Sequence, residues 1–255
     1  MQLEYTSFTN QMKIGFSTGS LALDDVREGL RIATHGRVKA IELSALREDE
    51  LRPLVILLDS IAEELRSFEY ISFHAPSRRK SMTEMEFIAE LQKVAKRGWA
   101  IIVHPDIIDD FSLWQPLGNA VCVENMDKRK STGRTASELR NVFDQLPEAT
   151  FCFDIGHAKQ IDSTMMEARK LLEAFGNRLR QLHVSYVNSS SRHERLNRES
   201  ILAFQRVADL IPRHIPIILE TPVTQFCVDE EIDLAESIWQ EFQAQTHPRA
   251  TVCQE

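Results

Sequence analysis

The feature that most constrains this chain is an eightfold alternation. Short apolar runs recur at Lys13–Ser17, Ala40–Leu43, Tyr70–His74, Ala100–His104, Ala120–Glu124, Thr150–Asp154, Leu179–His183 and Ile215–Glu220. Between them lie stretches with helical patterning, at 20–35, 50–66, 82–97, 135–146, 162–176, 197–212 and 229–245, and a shorter helix candidate at 107–114. Alternating strand and helix patterns indicate parallel βαβ units. Parallel strands are covered on both faces, which is why these runs are almost continuously apolar. Eight such units predict an α/β chain folded as a single (β/α)₈ TIM barrel over residues 1–255. Its core is expected at about 13–245, with short tails, 1–12 and 246–255, outside the barrel. The length of 255 residues suits a fold that typically takes about 250.

Helix starts follow the same reading. Ser81, Thr135 and Asp162 stand where a side-chain oxygen would satisfy an orphan backbone N–H. Glu84, three residues after Ser81, completes a capping-box pattern.

Composition excludes several alternatives. Hydrophobic residues make up 43% and charged residues 27%, and no apolar run approaches the roughly 20 residues of a spanning helix. The segment Met1–Met12 is polar and lacks the apolar stretch of a signal peptide. The expectation is a soluble, cytoplasmic protein that does not enter membranes. Cys122, Cys152, Cys227 and Cys253 form no close CxxC pair, so neither a thiolate zinc site nor a disulfide framework is indicated. A net charge of −8 counts against nucleic acid as a partner. Nothing in the sequence assigns an oligomeric state.

Six of the eight runs end in a side chain able to ligate metal: His74, His104, Glu124, Asp154 (with His157 three residues on), His183 and Glu220. In a barrel these ends converge on one mouth, where active sites lie. Strand parity agrees, because neighbouring residues point to opposite faces. With Glu124 and Asp154 inward, Cys122 and Cys152 also point inward, while Val121, Val123, Phe151 and Phe153 face the helices. With His104 and Glu220 inward, Ile101, Val103, Ile217 and Leu219 face out. A single histidine or carboxylate at a strand end is commonly an ordinary hydrogen-bonded residue or a helix cap. Six together are costly to bury without a cation. Mixed imidazole and carboxylate donors suit zinc, manganese or iron.

His74-Ala75-Pro76, His104-Pro105, Val123-Glu124-Asn125, Asp154-Ile155-Gly156-His157, His183-Val184-Ser185 and Leu219-Glu220-Thr221, in that order at successive strand ends, resemble the xylose isomerase-like superfamily. That superfamily includes endonuclease IV and many sugar-phosphate isomerases and epimerases. The resemblance spans nearly the whole barrel and implies one of two ligand patterns. In the mononuclear epimerase pattern Glu124, Asp154, His183 and Glu220 hold one metal, the two glutamates are the catalytic groups that exchange protons with substrate carbon, and His157 contacts substrate. The family usually has an arginine shortly after the histidine of strand seven; here Ser189 stands six residues after His183, and the first arginine is Arg192. In the trinuclear pattern of endonuclease IV, His74, His104, Glu124, Asp154, His157, His183, His193 and Glu220 match eight of nine ligands. The ninth, an aspartate, is replaced by Ser191. One to three divalent ions per chain follow from these patterns.

Loops expected at the mouth carry Arg78-Arg79-Lys80, Lys128-Arg129-Lys130, Arg134, Arg192 and Arg195. Their concentration at one face points to a small anionic substrate, with Lys128, Arg192 and Arg195 as candidate contacts beside His157. The expected function is a divalent-metal-dependent isomerase or epimerase on a sugar-like or phosphorylated molecule. The alternatives are a multinuclear phosphoester hydrolase resembling endonuclease IV and a non-catalytic metal-binding barrel.

Overall fold

A computed structural model describes residues 12–240. The expected tails, apart from Met12, and the last residues of the helix expected at 229–245 lie outside the described residues. Eight strands close into one parallel barrel: β1 (Ile14–Ser17), β2 (Ala40–Ser44), β3 (Tyr70–His74), β4 (Ala100–Val103), β5 (Val121–Glu124), β6 (Thr150–Asp154), β7 (Leu179–Val184) and, last in the chain, β10 (Ile217–Leu219), which pairs with both β7 and β1. All barrel pairings are parallel, so every strand ends at the same mouth. Among the described residues no helix is long and apolar enough to cross a membrane.

Side-chain parity sorts the core into two layers. Ala100, Ile102, Cys122 and Cys152 form a small cluster of their own inside the barrel. Ile101, Val103, Val121, Val123, Phe151, Phe153, Ile217 and Leu219 join the larger cluster between strands and helices. There Phe151 meets Phe143, Phe153 and Phe175 at ring-centroid distances of 5.9 Å.

The helices depart from the expected spans in instructive ways. The first stretch splits into α1 (Thr18–Leu21) and α2 (Val26–Ala33), broken where Asp24 takes a left-handed φ of 70°. The second gives α3 (Glu48–Leu57) and a short α4 (Ala62–Leu65). The third is α5 (Glu84–Ala95), whose cap is Thr83 rather than Ser81, in a capping box with Glu86. Ser81 instead donates to the Glu48 carboxylate at the start of α3. The β4–β5 connection holds only α6 (Phe111–Trp114) between 3₁₀ turns.

Thr135 caps α7 (Ala136–Gln145) as expected. An additional helix, α8 (Ile155–Ile161), follows β6 at once. Asp162 ends it, and the N-cap of α9 (Met166–Phe175) is Met165, while the Asp162 carboxylate accepts the N–H of Glu167 from three residues further back. After β7 the chain folds into a small antiparallel hairpin of β8 (Tyr186–Val187) and β9 (His193–Glu194), where a loop was expected. The stretch expected at 197–212 is α10 (Arg198–Phe204) and a 3₁₀ turn, and α11 (Val228–Glu236) follows the last strand.

Candidate metal centre

The site begins with Asn125, one residue past the end of β5. Its side chain accepts the backbone N–H of Asp154 (2.8 Å) and donates to the Asp154 carbonyl (2.8 Å). That pair prolongs the β5–β6 contact beyond Glu124 and fixes Asp154 beside it. Asp154 then caps α8, its Oδ1 accepting the N–H of His157 at 2.6 Å. Gly156 permits this turn, because a Cβ there would lie 2.5 Å from the carbonyl oxygen of Ser185. Gly133, at φ 82°, closes the loop after β5 by accepting from the N–H of Met126; a Cβ on it would meet the ring of Pro105 at 2.4 Å.

Two groups of ligand atoms share Glu124. His74, His104 and Glu124 form one, and Glu124, Asp154, His183 and Glu220 the other; within each, all ligand atoms lie within 4.8 Å of one another. The Nε2 atoms of His74 and His104 stand 3.5 and 3.2 Å from Glu124 Oε2. Donors at about 2.0–2.1 Å around a tetrahedral ion are about 3.3–3.4 Å apart, so this spacing suits a shared cation. His183 Nδ1 is 3.0 Å from Glu124 Oε1 and 3.6 Å from Glu220 Oε2. Ring tautomers are set from outside. His74 Nδ1 is bonded to the carbonyl of Ala75 (2.8 Å) and His157 Nδ1 to that of Asn125 (3.0 Å), which leaves each Nε2 as the free lone pair.

Several buried atoms here have no hydrogen-bond partner: Glu42 Oε1, Glu124 Oε2, Asp154 Oδ2, His104 Nδ1 and His157 Nε2. Buried polar groups are rarely left so, and oxygens and imidazole nitrogens gathered in this way are the donors a divalent ion takes. Proton affinities show the same strain. Burial would lower the His74 imidazole, but Glu124, Glu42 and Glu220 outweigh it and lift it to about 9. Burial, together with Glu220 and Glu124, pushes the Asp154 carboxyl up to about 8 against the pull of His157 and His183. Burial opposes ionisation of Glu124 too, yet His183, His104 and His74 hold its carboxyl well below the usual range.

Comparison with solved structures finds this barrel again in endonuclease IV from Thermus thermophilus (TM-score 0.58, 18% identity, 89% of this chain and 98% of that one). It recurs in a xylose isomerase-like TIM barrel protein from Mycobacterium smegmatis in complex with magnesium (0.56, 11%, 89% and 96%). A sugar phosphate isomerase/epimerase from Parabacteroides distasonis ATCC 8503 also shares it (0.50, 16%, 86% and 95%). The chain has the (β/α)₈ barrel fold of these structures. At these identities the likeness is one of fold. The sequence itself matches no family model and no curated protein.

The remaining expected residues of this barrel fall into two groups. His157 and His193 face each other with ring centroids 5.5 Å apart, and His193 Nδ1 lies 2.8 Å from Ser185 Oγ and 3.5 Å from Glu220 Oε2. Among the described residues no group of three ligand atoms within 4.8 Å of one another includes both histidines. Ser191, at φ 57°, turns its hydroxyl to Gln160, and Glu194 accepts from Asn188. A cavity of about 190 Å³ opens above the centre, lined by His74, His104, Glu124, His157, His193 and Glu220, with Arg129 and Lys130 at its edge.

Lys128, Arg192 and Arg195 do not line that cavity. Lys128 and Arg192 are exposed, and Arg195 is paired with Glu230 and Glu231. Arg79 is spent on Asp109, and Arg134 on Glu138. Glu42, which its place at a strand end allows either to line the mouth or to be structural, and Gln181 are both fully buried beside His183 and belong to no motif. Inward parity on β2 was the available signal for Glu42, and no motif marks Gln181.

Proposed function

We propose that this protein is a divalent-metal-dependent enzyme acting on a small anionic, sugar-like or phosphorylated substrate, of the isomerase or epimerase class. One observation carries the reading: the two ligand groups joined through Glu124 contribute His74, His104, Glu124 and Glu220 to the lining of one cavity of about 190 Å³, room for a small molecule. Glu124, Asp154, His183 and Glu220 would hold one ion, and His74 and His104 with Glu124 a second, with zinc, manganese or iron suited to these donors. A bound divalent ion supplies Lewis acidity that lowers the cost of negative charge on neighbouring oxygens.

The chain's own residues do the rest. Glu220, whose side chain is 14% exposed, borders the cavity and would take a proton from carbon and return it, with Glu124 in the partner role where a single ion is bound. His157 Nε2 lacks a partner and can accept from a substrate hydroxyl. Lys130 and Arg129 also line the cavity, each already paired with a carboxylate, Asp106 and Asp127, so an anionic substrate group would have to compete with those pairs.

A second reading, phosphoester hydrolysis, draws on the same sharing of Glu124, because paired metals about 3.5–4 Å apart suit in-line displacement. One experiment separates the two. Chelator-stripped protein is reloaded with Mn²⁺ or Zn²⁺ and offered ketose and aldose phosphates in D₂O, and separately a simple phosphodiester. Metal-dependent deuterium uptake at the carbon beside the carbonyl is the expected result. Diester cleavage without exchange would replace the first reading by the second, and neither activity would leave a non-catalytic metal-binding barrel.

A further inference from the structure

Glu42 belongs to neither ligand pattern that the strand-end motifs imply. It projects from β2 into the barrel interior and is fully buried. No lysine or arginine pairs with it; among the described residues its one ion-pair partner is His183, at 3.1 Å. All of its hydrogen-bonding neighbours crowd one oxygen. Ser72 Oγ (3.0 Å), Gln181 Nε2 (2.6 Å) and His183 Nε2 (3.1 Å) meet at Oε2, while Oε1 has none. Gln181 is itself held by the Tyr70 hydroxyl at 2.8 Å. The carboxylate is therefore clamped on one side and left bare on the other.

The carboxylate has company. Ligand atoms of Glu42, His74 and Glu220 lie within 4.8 Å of one another. His74 commits Nδ1 to the carbonyl of Ala75 and so presents Nε2. Charge points the same way. Glu42, Glu124, Asp154 and Glu220 are four carboxylates whose only ion-pair partners among the described residues are histidines. With the imidazoles neutral, as metal ligation requires, two divalent cations balance four carboxylates, whereas the strand-end set without Glu42 leaves an excess of positive charge.

We propose that Glu42 is a further ligand of the centre, its free oxygen joining His74 and Glu220 around the second of the two cations, the one that His74 binds, on the β2 side of the mouth. Ser72 and Gln181 are its positioning residues: they fix one oxygen so that the other faces the ion. This inference rests on the metal reading above, and its test keeps the two apart.

Mn²⁺ is titrated by calorimetry into chelator-stripped full-length protein, with bound metal counted separately. Wild type, Glu42→Gln, His183→Ala and the double variant are compared, each checked for fold by its metal-free melting curve. Glu42→Gln is expected to remove about one equivalent, or to weaken one class of sites at least about tenfold, and to do the same in the His183→Ala background. Unchanged binding in Glu42→Gln overturns the proposal and leaves the metal reading standing. A loss that disappears in the His183→Ala background also overturns it, because Glu42 would then act only through His183. A wild type that binds no Mn²⁺ overturns the metal reading itself. Should Glu42→Gln misfold, Ser72→Ala decides: a smaller weakening of the same class supports the proposal, and no change overturns it.

Discussion

Two sets of buried carboxylates in this barrel look alike in sequence and differ in what their oxygens touch. Glu48, Glu84 and Glu231 stand in the first turns of α3, α5 and α11 and reach across to a neighbouring loop. Glu48 accepts the N–H groups of Lys80, Ser81 and Met82; Glu84 accepts those of Asp109 and Asp110 and the indole N–H of Trp114; Glu231 accepts from Leu196 N–H and Arg195. Both oxygens of each are occupied. At the mouth, Glu42, Glu124 and Asp154 each have one oxygen engaged and one without a partner. The first set is complete as protein and staples the loops that shape the mouth. The second leaves an acceptor open on each carboxylate, which the proposed metal would take, and the contrast separates the two sets more sharply than burial does.

The largest effect expected from breaking this contrast is on metal. Glu124→Gln touches both ligand groups and should weaken Mn²⁺ binding by about a hundredfold or more, with the metal-free protein less stable than wild type near neutral pH, since His183, His104 and His74 lose the carboxylate that they hold ionised. Titration and a denaturant melt check it, and unchanged affinity would put Glu124 outside the centre. The converse is Glu84→Ala. It strands two backbone N–H groups and the Trp114 indole, and should cost about 3 kcal/mol of stability while the number of bound ions stays the same.

Acid–base behaviour sharpens the comparison. Asp154 is raised from 3.8 to about 8 and His74 from 6.5 to about 9. For both, the fold favours the protonated form, so their contribution is present at low pH and is lost as pH rises through the folded values. Thermal melts of metal-free protein should therefore fall between pH 6.5 and 9, and saturating Mn²⁺, which competes with those protons, should remove the fall. Glu48 behaves oppositely. Burial would raise it, but Ser81 and the backbone N–H groups of Lys80, Ser81 and Met82 lower it from 4.5 to about 2, so its contribution holds above pH 4.5 and is lost only as pH falls through about 2. A metal-free melting temperature that climbs from pH 6.5 to 9 would contradict the assignment of strain to the mouth. The smallest effect is local: Thr83→Ala removes the α5 cap and should cost about 1 kcal/mol with metal binding untouched.

Much of this was legible in the sequence because barrel physics repeats. Strand positions followed from continuous apolar runs, and the inward direction of Cys122, Glu124, Cys152 and Asp154 from parity alone. What escaped was decided by partners distant in sequence. Ser81 and Glu84 have the spacing of a capping box, yet Ser81 bonds to Glu48, Glu84 to Asp109 and Asp110, and the cap falls to Thr83. The run of loop arginines resembled an anion site, but Arg79, Arg134 and Arg195 each find a carboxylate on a neighbouring helix or loop. The Asn188–Ser191 turn closes a hairpin that places His193, and no alternation in so short a segment announces it. Asn125 and Gln181 matter through contacts to a neighbouring strand and across the barrel, which no local pattern encodes.

The central claim is that the strand-end side chains of this barrel form a metal centre around Glu124. Anomalous diffraction from a Mn²⁺-soaked crystal tests it most directly. The account predicts a peak within about 2.0–2.3 Å of donor atoms from Glu124, Asp154, His183 and Glu220, and a second beside His74 and His104 that shares Glu124. Anomalous density confined to the protein surface, or none at the mouth at saturating Mn²⁺, would contradict it.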